Sequence, residues 1–79
     1  MEDLRQLVEH LAKALVDEPD EVDVQALEED RAIVLELSVA PDDLGKVIGR
    51  EGRTARAIRT LLSATPLRGN RRVVLDILE

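Results

Sequence analysis

Three of the chain's four glycines lie in one nine-residue stretch, GKVIGREGR at positions 45–53. Gly49 and Gly52 stand three residues apart, and a turn built on them exposes successive backbone N–H groups. Because neither residue has a Cβ atom, a phosphate or a sugar can come close to this backbone. The basic residues of the stretch are Lys46, Arg50 and Arg53. Composition and spacing therefore indicate a site for a phosphodiester backbone.

Other phosphate-binding and catalytic motifs fit this chain poorly. Gly45 and Lys46 lack the upstream glycine and the following Ser or Thr of a P-loop, and the glycine spacing is not G-x-G-x-x-G. With a single histidine, His10, and no cysteine, no carboxylate–histidine–nucleophile arrangement can be assembled. We therefore expect no enzyme activity, no small-molecule substrate, no metal and no cofactor.

The net charge of −6 hides an uneven distribution along the chain. Residues 1–45 contain three basic and fourteen acidic residues, a net charge of −11, whereas residues 46–79 contain eight basic and three acidic residues, a net charge of +5. An acidic protein can therefore still present a local positive patch. The acidic half has two interpretations: ordinary solubilising charge, or a surface that binds a basic partner or confines a polyanion to the positive patch.

The first forty residues have the patterns of one helix and two strands. Apolar residues recur at helical spacing over residues 3–17, which predicts an amphipathic helix that Pro19 stops. Residues 21–26 alternate between apolar and polar types and predict a half-buried strand, and the acidic cluster at 28–30 predicts a turn. Residues 31–40 are apolar on both faces, as in a central strand.

The second half of the chain predicts two helices and a last strand. A short helix is predicted to end at Gly49, since glycine commonly terminates helices. A second helix is predicted from Arg53 to about Thr65, with its apolar residues on one face and its arginines on the opposite arc. A loop at 66–70 then precedes a strand at residues 71–79. The inward-facing residues of the short helix are predicted to be Leu44, Val47 and Ile48.

The order helix, strand, strand, helix, helix, strand predicts an α+β fold in a single domain over residues 1–79. The first two strands form an antiparallel hairpin, and the helices that follow allow a right-handed crossover to a parallel third strand. The prediction is a three-stranded mixed sheet with the second strand in the middle and helices packed on one face. No apolar run is long enough to cross a bilayer, and the charged N-terminus does not suit a signal peptide, so a cytoplasmic protein is expected.

The glycine stretch also carries a family resemblance. Residues 47–53, followed by Ala57 and Ile58, resemble the V-I-G-x-x-G signature of KH domains, with residues 49–52 as the GXXG loop. The element order is similar to that of the type II KH fold. Over essentially its whole length, the chain resembles the small, single-KH bacterial RNA-binding proteins of the KhpA (YlqC) family.

This resemblance implies that single-stranded RNA binds in a narrow groove, with about four nucleotides held at their backbone by the GXXG loop. By position, Gly49 and Gly52 permit the close approach, Arg50 and Glu51 are the variable pair, and Lys46 and Arg53 contact phosphates. Because Glu51 places an acid inside the loop, we expect weak RNA binding. The RNA-binding residues implied are Gly45, Lys46, Ile48, Gly49, Arg50, Glu51, Gly52, Arg53 and Arg56. The resemblance further implies an RNA chaperone or post-transcriptional regulator.

Each of these interpretations has an alternative. The two glycines could form a helix cap and a tight turn with no ligand, and Arg56 and Arg59 could lie on a solvated helix face. The whole domain could instead be a protein-interaction module, because a small domain gains from burying an apolar face in a dimer. The partners implied are a second copy of the chain or a larger KH-containing protein of the Jag/KhpB type.

Overall fold

The chain opens with an amphipathic helix, α1, over Glu2–Leu15 in a computed structural model that describes residues 2–64 and 71–79. Helix α1 ends two residues before the predicted boundary. The backbone N–H groups of Asp17 and Glu18, which would continue the helix, donate instead to the two carboxylate oxygens of Asp43, at 3.3 and 3.0 Å. A distant side chain therefore terminates α1, and Pro19 begins a separate 3-10 turn.

The predicted mixed sheet is confirmed. Strands β1 (Asp23–Glu28), β2 (Ala32–Ser38) and β3 (Arg72–Ile77) lie in the order β1-β2-β3, with β1 antiparallel and β3 parallel to β2. Strand β1 starts two residues later than predicted because the N–H groups of Glu21 and Val22 close the preceding 3-10 turn. The predicted loop at 66–70 and the predicted helix end at Thr65 lie outside the described residues.

The core lies between one face of the sheet and the helices. Strand β2 alternates strictly between buried and half-buried residues, so one of its faces is covered completely. Helices α2 (Leu44–Ile48) and α3 (Arg53–Ser63) follow β2 and pack with α1 on that face. The buried residues that form the core cluster are Leu4, Val8, Ala12, Val22, Val24, Ile33, Leu35, Leu37, Val47, Ile58, Leu62 and Leu75. None of the described helices is long and apolar enough to span a membrane.

Helix α2 has only five residues, and a buried carboxylate holds it in place. Asp43 directly precedes α2 and is 1% exposed. Besides the two backbone N–H groups at the end of α1, the Lys46 ammonium donates to Asp43 Oδ1 at 3.1 Å and to Asp17 Oδ2 at 2.9 Å. Burial raises the pKa of Asp43, but the hydrogen bonds from Lys46, Asp17 and Glu18 outweigh it and hold this pKa below its usual value of 3.8. The network joins α1 to α2.

We expect Asp43→Asn to lower the midpoint of thermal unfolding by on the order of 5–10 °C. An amide has one acceptor oxygen where the carboxylate has two, and its NH₂ group would face N–H donors. The matched control is Asp42→Asn, which makes the same substitution at an exposed neighbour. Thermal melts by circular dichroism check this; equal midpoints for the two variants would contradict the role of Asp43.

The same network predicts a pH dependence. Because the pKa of Asp43 is lower in the folded than in the unfolded chain, its stabilisation is present above the unfolded value of about 3.8 and is lost as the pH falls through the folded value. The difference in unfolding free energy between the wild type and Asp43→Asn should therefore persist at neutral pH and shrink in acid below about pH 4. Urea titrations at several pH values measure it, and a difference that grows in acid would contradict the assignment.

Candidate nucleic-acid interface

A left-handed turn joins α2 to α3 at the positions the glycine spacing singled out. Gly49 ends α2 with φ 81°, Gly52 precedes α3 with φ 75°, and Glu51 between them has φ 57°. The Gly52 N–H closes the turn on the Gly49 carbonyl at 3.1 Å. In the described part of the chain, the backbone N–H groups of Arg50 and Glu51 make no hydrogen bond. The turn therefore presents two adjacent free backbone donors.

The two glycines of the turn are needed for different reasons. A Cβ atom at Gly49 would clash with the Thr54 side chain and would lie 2.7 Å from the Thr54 backbone nitrogen. At Gly52 the nearest atom, Arg56 Nη2, is 3.9 Å away, so only the positive φ favours glycine there. Packing and a positive φ thus both require glycine at position 49, whereas backbone conformation alone favours it at position 52.

Glu51 adopts a left-handed conformation that costs a non-glycine residue roughly 1–2 kcal/mol. Arg56 supports it, because Arg56 Nη2 donates to the Glu51 carbonyl oxygen at 3.0 Å. The Glu51 carboxylate lies 3.9 Å from the Arg53 guanidinium, and both side chains are more than 70% exposed, so this ion pair is loose. Sequence spacing predicted that Arg56 lies near the turn, but it did not predict the hydrogen bond from Arg56 to the Glu51 carbonyl.

The basic residues predicted around the turn lie in different settings. Arg50 and Arg53 are exposed. The Lys46 ammonium, expected to contact phosphate, is instead bound by Asp17 and Asp43, and its pKa is raised by these hydrogen bonds, the one to Asp17 contributing most. The positive charge that remains available near the turn therefore comes from the arginines and not from Lys46. No local sequence pattern indicates this pairing, because Asp17 lies 29 residues from Lys46.

Two further predicted residues lie on α2, on the approach to the turn. A Cβ atom at Gly45 would meet nothing within 4 Å, so the packing of this chain does not require glycine there. Glycine in an exposed helix is less stable than alanine by about 0.5–1 kcal/mol. Ile48 is half-buried, in contrast to the fully buried Val47. The α2 surface beside the turn is thus open and partly apolar.

A groove of about 380 Å³ runs between α3 and β3. Arg59, for which the sequence left a solvated helix face and a phosphate contact both open, reaches across it. Its Nε and Nη2 atoms lie 3.4 and 3.3 Å from the Leu75 carbonyl oxygen. The residues lining this α3–β3 groove are Arg56, Arg59, Thr60, Ser63, Val73, Val74 and Leu75. The three-residue spacing of Arg53, Arg56 and Arg59 indicated a shared arc, but only the fold shows that this arc leads from the turn to β3.

A second groove, of about 390 Å³, lies between α1 and α3 and is almost wholly apolar. Leu15 and Leu61 on its walls are 40% and 55% exposed. Arg53 and Thr54 also line this α1–α3 groove. Its apolar residues are Leu11, Ala14, Leu15, Ala57, Ile58 and Leu61. Among residues 2–64 and 71–79, no group of three or more His, Cys, Asp or Glu side chains is placed to hold a metal ion.

Known proteins resemble this chain over nearly its whole length. The family model described as KhpA/KhpB, KH domain, matches residues 5–77. The chain is 52% identical over 75 residues to the RNA-binding protein KhpA of Clostridium acetobutylicum, covering 95% of this chain and 100% of that protein. It is 51% identical over 79 residues to the RNA-binding protein KhpA of Aquifex aeolicus, with both chains fully covered.

A third relative, the RNA-binding protein KhpA of Streptomyces coelicolor, is 53% identical over 74 residues, which cover 94% of each chain. No solved structure matches the chain significantly. The family match covers α1 from residue 5 onward and continues through β1, β2, α2, α3 and β3, and the element order is that of a type II KH domain. The chain therefore belongs to the KhpA/KhpB family of KH domains.

Proposed function

We propose that this protein is a non-catalytic RNA-binding protein whose turn at 49–52 holds single-stranded RNA by its backbone. The observation that carries this proposal is the pair of free N–H groups, on Arg50 and Glu51, in a turn flanked by the exposed Arg50 and Arg53 side chains. Free backbone donors and mobile cations are what a phosphodiester requires. The relatives named above are RNA-binding proteins, which supports the same assignment.

The open surfaces on either side of the turn suggest where the bases lie. Gly45 and Ile48 on α2 offer a surface that bases can approach, and the α3–β3 groove continues it. The chain contains no aromatic residue, so bases pack on aliphatic side chains instead of stacking on rings. The Glu51 carboxylate opposes the phosphates, and the resulting affinity is modest. We assign Lys46 to the support of α2 and not to a direct phosphate contact.

An RNA-binding domain of this kind suits an RNA chaperone or a post-transcriptional regulator in the bacterial cytoplasm. A site that contacts mainly the sugar–phosphate backbone of RNA binds many RNA sequences, because backbone contacts carry little sequence information.

We expect the double variant Arg50→Asp/Glu51→Asp to bind single-stranded RNA at least about tenfold more weakly than the wild type, because charge-assisted contacts are lost and repulsion is added. Aspartate tolerates the left-handed conformation at position 51, so the fold should persist. The control is Arg31→Asp, which makes the same charge change in the exposed β1–β2 turn. Fluorescence anisotropy with short labelled RNAs at several salt concentrations measures the affinities.

For the wild type, the logarithm of the association constant should fall with the logarithm of salt concentration at a slope of about −0.7 per phosphate neutralised. The double variant should show a smaller slope, whereas Arg31→Asp should retain the wild-type slope. Equal binding by all three proteins, or none by the wild type, would contradict the assignment of the turn.

Gly45 provides a test in which stability and binding move in opposite directions. Gly45→Ala should stabilise the fold by about 0.5–1 kcal/mol, because alanine favours the helix and its Cβ meets open space. RNA binding should weaken several-fold, and Gly45→Leu should weaken it further. Urea unfolding and fluorescence anisotropy measure the two effects, and unchanged affinity in both variants would place the RNA away from α2.

The α1–α3 groove supports a second candidate function, that of a protein-interaction module. Its apolar lining and the exposure of Leu15 and Leu61 suit a second copy of this chain packed about a two-fold axis. The alternative occupant is a larger KH-containing protein of the Jag/KhpB type. If docking is the main task, the Arg50→Asp/Glu51→Asp variant keeps its biological activity.

We expect Leu61→Glu to shift a wild-type dimer towards monomer, because a charge would be buried in the apolar contact. The matched control is Leu27→Glu, at an exposed leucine on β1 outside this groove. Analytical ultracentrifugation over a range of concentrations measures the association. If the wild type is monomeric at all concentrations, the groove does not bind a second copy, and its partner is a different protein. If Leu61→Glu and Leu27→Glu weaken dimerisation equally, the groove is not the dimer interface.

A further inference from the structure

The two carboxylates that bind the Lys46 ammonium differ in how firmly the fold holds them. Asp43 is buried and also accepts from the backbone N–H groups of Asp17 and Glu18. The Asp17 side chain is 78% exposed, and among the described residues only Lys46 donates to its carboxylate, at 2.9 Å. The fold therefore fixes the pair between Lys46 and Asp43, whereas the exposed pair between Lys46 and Asp17 costs little to open.

Lys46 lies beside the surface along which RNA is proposed to bind. It stands on α2 three residues before Gly49, which is about 4.5 Å along the helix axis, and it directly follows Gly45. An ammonium has three N–H donors, and Asp17 and Asp43 use two of them. The Lys46 side chain is 42% exposed, so a phosphate can reach this ammonium from solvent.

The cluster nevertheless offers a phosphate little attraction while Asp17 is in place. Two carboxylates and one ammonium leave it with one net negative charge. The hydrogen bond to Asp17, more than the one to Asp43, raises the pKa of Lys46, so the ammonium stays charged. A phosphate that approaches Lys46 must therefore displace the Asp17 carboxylate or be repelled by it.

We propose that Asp17 is an affinity-determining residue, which keeps Lys46 from binding RNA phosphates. Without the Asp17 carboxylate, Lys46 becomes a further phosphate contact next to the turn at 49–52. This inference rests on the proposed function, since it requires RNA to run along α2 from the turn. Replacing the side chain leaves the backbone N–H at position 17, so Asp43 keeps its donors and α2 keeps its connection to the end of α1.

The test compares the full-length wild type with Asp17→Ala by fluorescence anisotropy, using a labelled octamer of uridine at several salt concentrations. Asp17→Ala should bind roughly two- to fivefold more tightly, the size expected when one exposed ion pair is gained. The slope of the logarithm of the association constant against the logarithm of salt concentration should steepen by about 0.7, because one more phosphate is neutralised. Thermal melts check the fold, and Asp17→Asn replaces Asp17→Ala should that variant fail to fold.

Two controls separate a contact through Lys46 from a diffuse effect of charge. Asp20→Ala removes the same charge from the exposed 3-10 turn that follows α1, so it should keep the wild-type slope and gain less affinity. The second control makes Asp17→Ala in a Lys46→Gln background, where an uncharged amide can still donate to Asp43. In that background Asp17→Ala should add neither affinity nor slope.

Three results would overturn the role of Asp17: an unchanged slope in Asp17→Ala, equal gains in Asp17→Ala and Asp20→Ala, or a gain that persists in the Lys46→Gln background. Each of them leaves the proposed function intact, because the wild type binds RNA in all three cases. Failure of the wild type to bind the octamer would overturn the proposed function, and this inference with it.

Discussion

The buried carboxylate of Asp43 is the interaction on which the arrangement of the site depends. It accepts hydrogen bonds from the backbone at the end of α1 and from Lys46 on α2. A five-residue helix is too short to be stable by itself, so α2 exists because its surroundings hold it. The turn at 49–52 begins where α2 ends, so Asp43 and the buried Val47, which hold α2 against α1 and the core, also position the turn. A buried charge is tolerated there because three donors satisfy it.

Several residues together fix the backbone conformation of the turn. Gly49 gives space to Thr54, Gly52 supplies a second left-handed residue, and Arg56 holds the carbonyl of the strained Glu51. With the backbone fixed in this way, the N–H groups at positions 50 and 51 stay directed away from the chain's own acceptors. Little conformational entropy would then be lost when a ligand binds. The arginines supply the positive charge around the turn, since Lys46 is already paired with Asp17 and Asp43.

Helix α3 connects the two surfaces that could bind a partner. One face contributes Ala57, Ile58 and Leu61 to the apolar α1–α3 groove, and the opposite face contributes Arg56 and Arg59 to the α3–β3 groove. The first groove has the composition of a protein contact, and the second combines hydrogen-bond donors with an open strand edge. Both faces begin next to the turn, because Arg53 starts α3 directly after Gly52. A small domain can in this way offer a nucleic-acid surface and a protein surface on a single helix.

The sequence by itself determined the element order, the mixed sheet and the place of the turn, because apolar periodicity and glycine spacing act over a few residues and are legible locally. It also identified the family, which the 5–77 match confirms. Only the tertiary structure decided which polar groups meet. Asp43 accepts from the Glu18 N–H, 25 residues away, just after α1 ends at Leu15. Lys46 is bound by Asp17, and Arg59 reaches Leu75 across a separation of 16 residues. Such contacts depend on how α1, α2, α3 and β3 pack together, and a long polar side chain has several possible partners until that packing selects one.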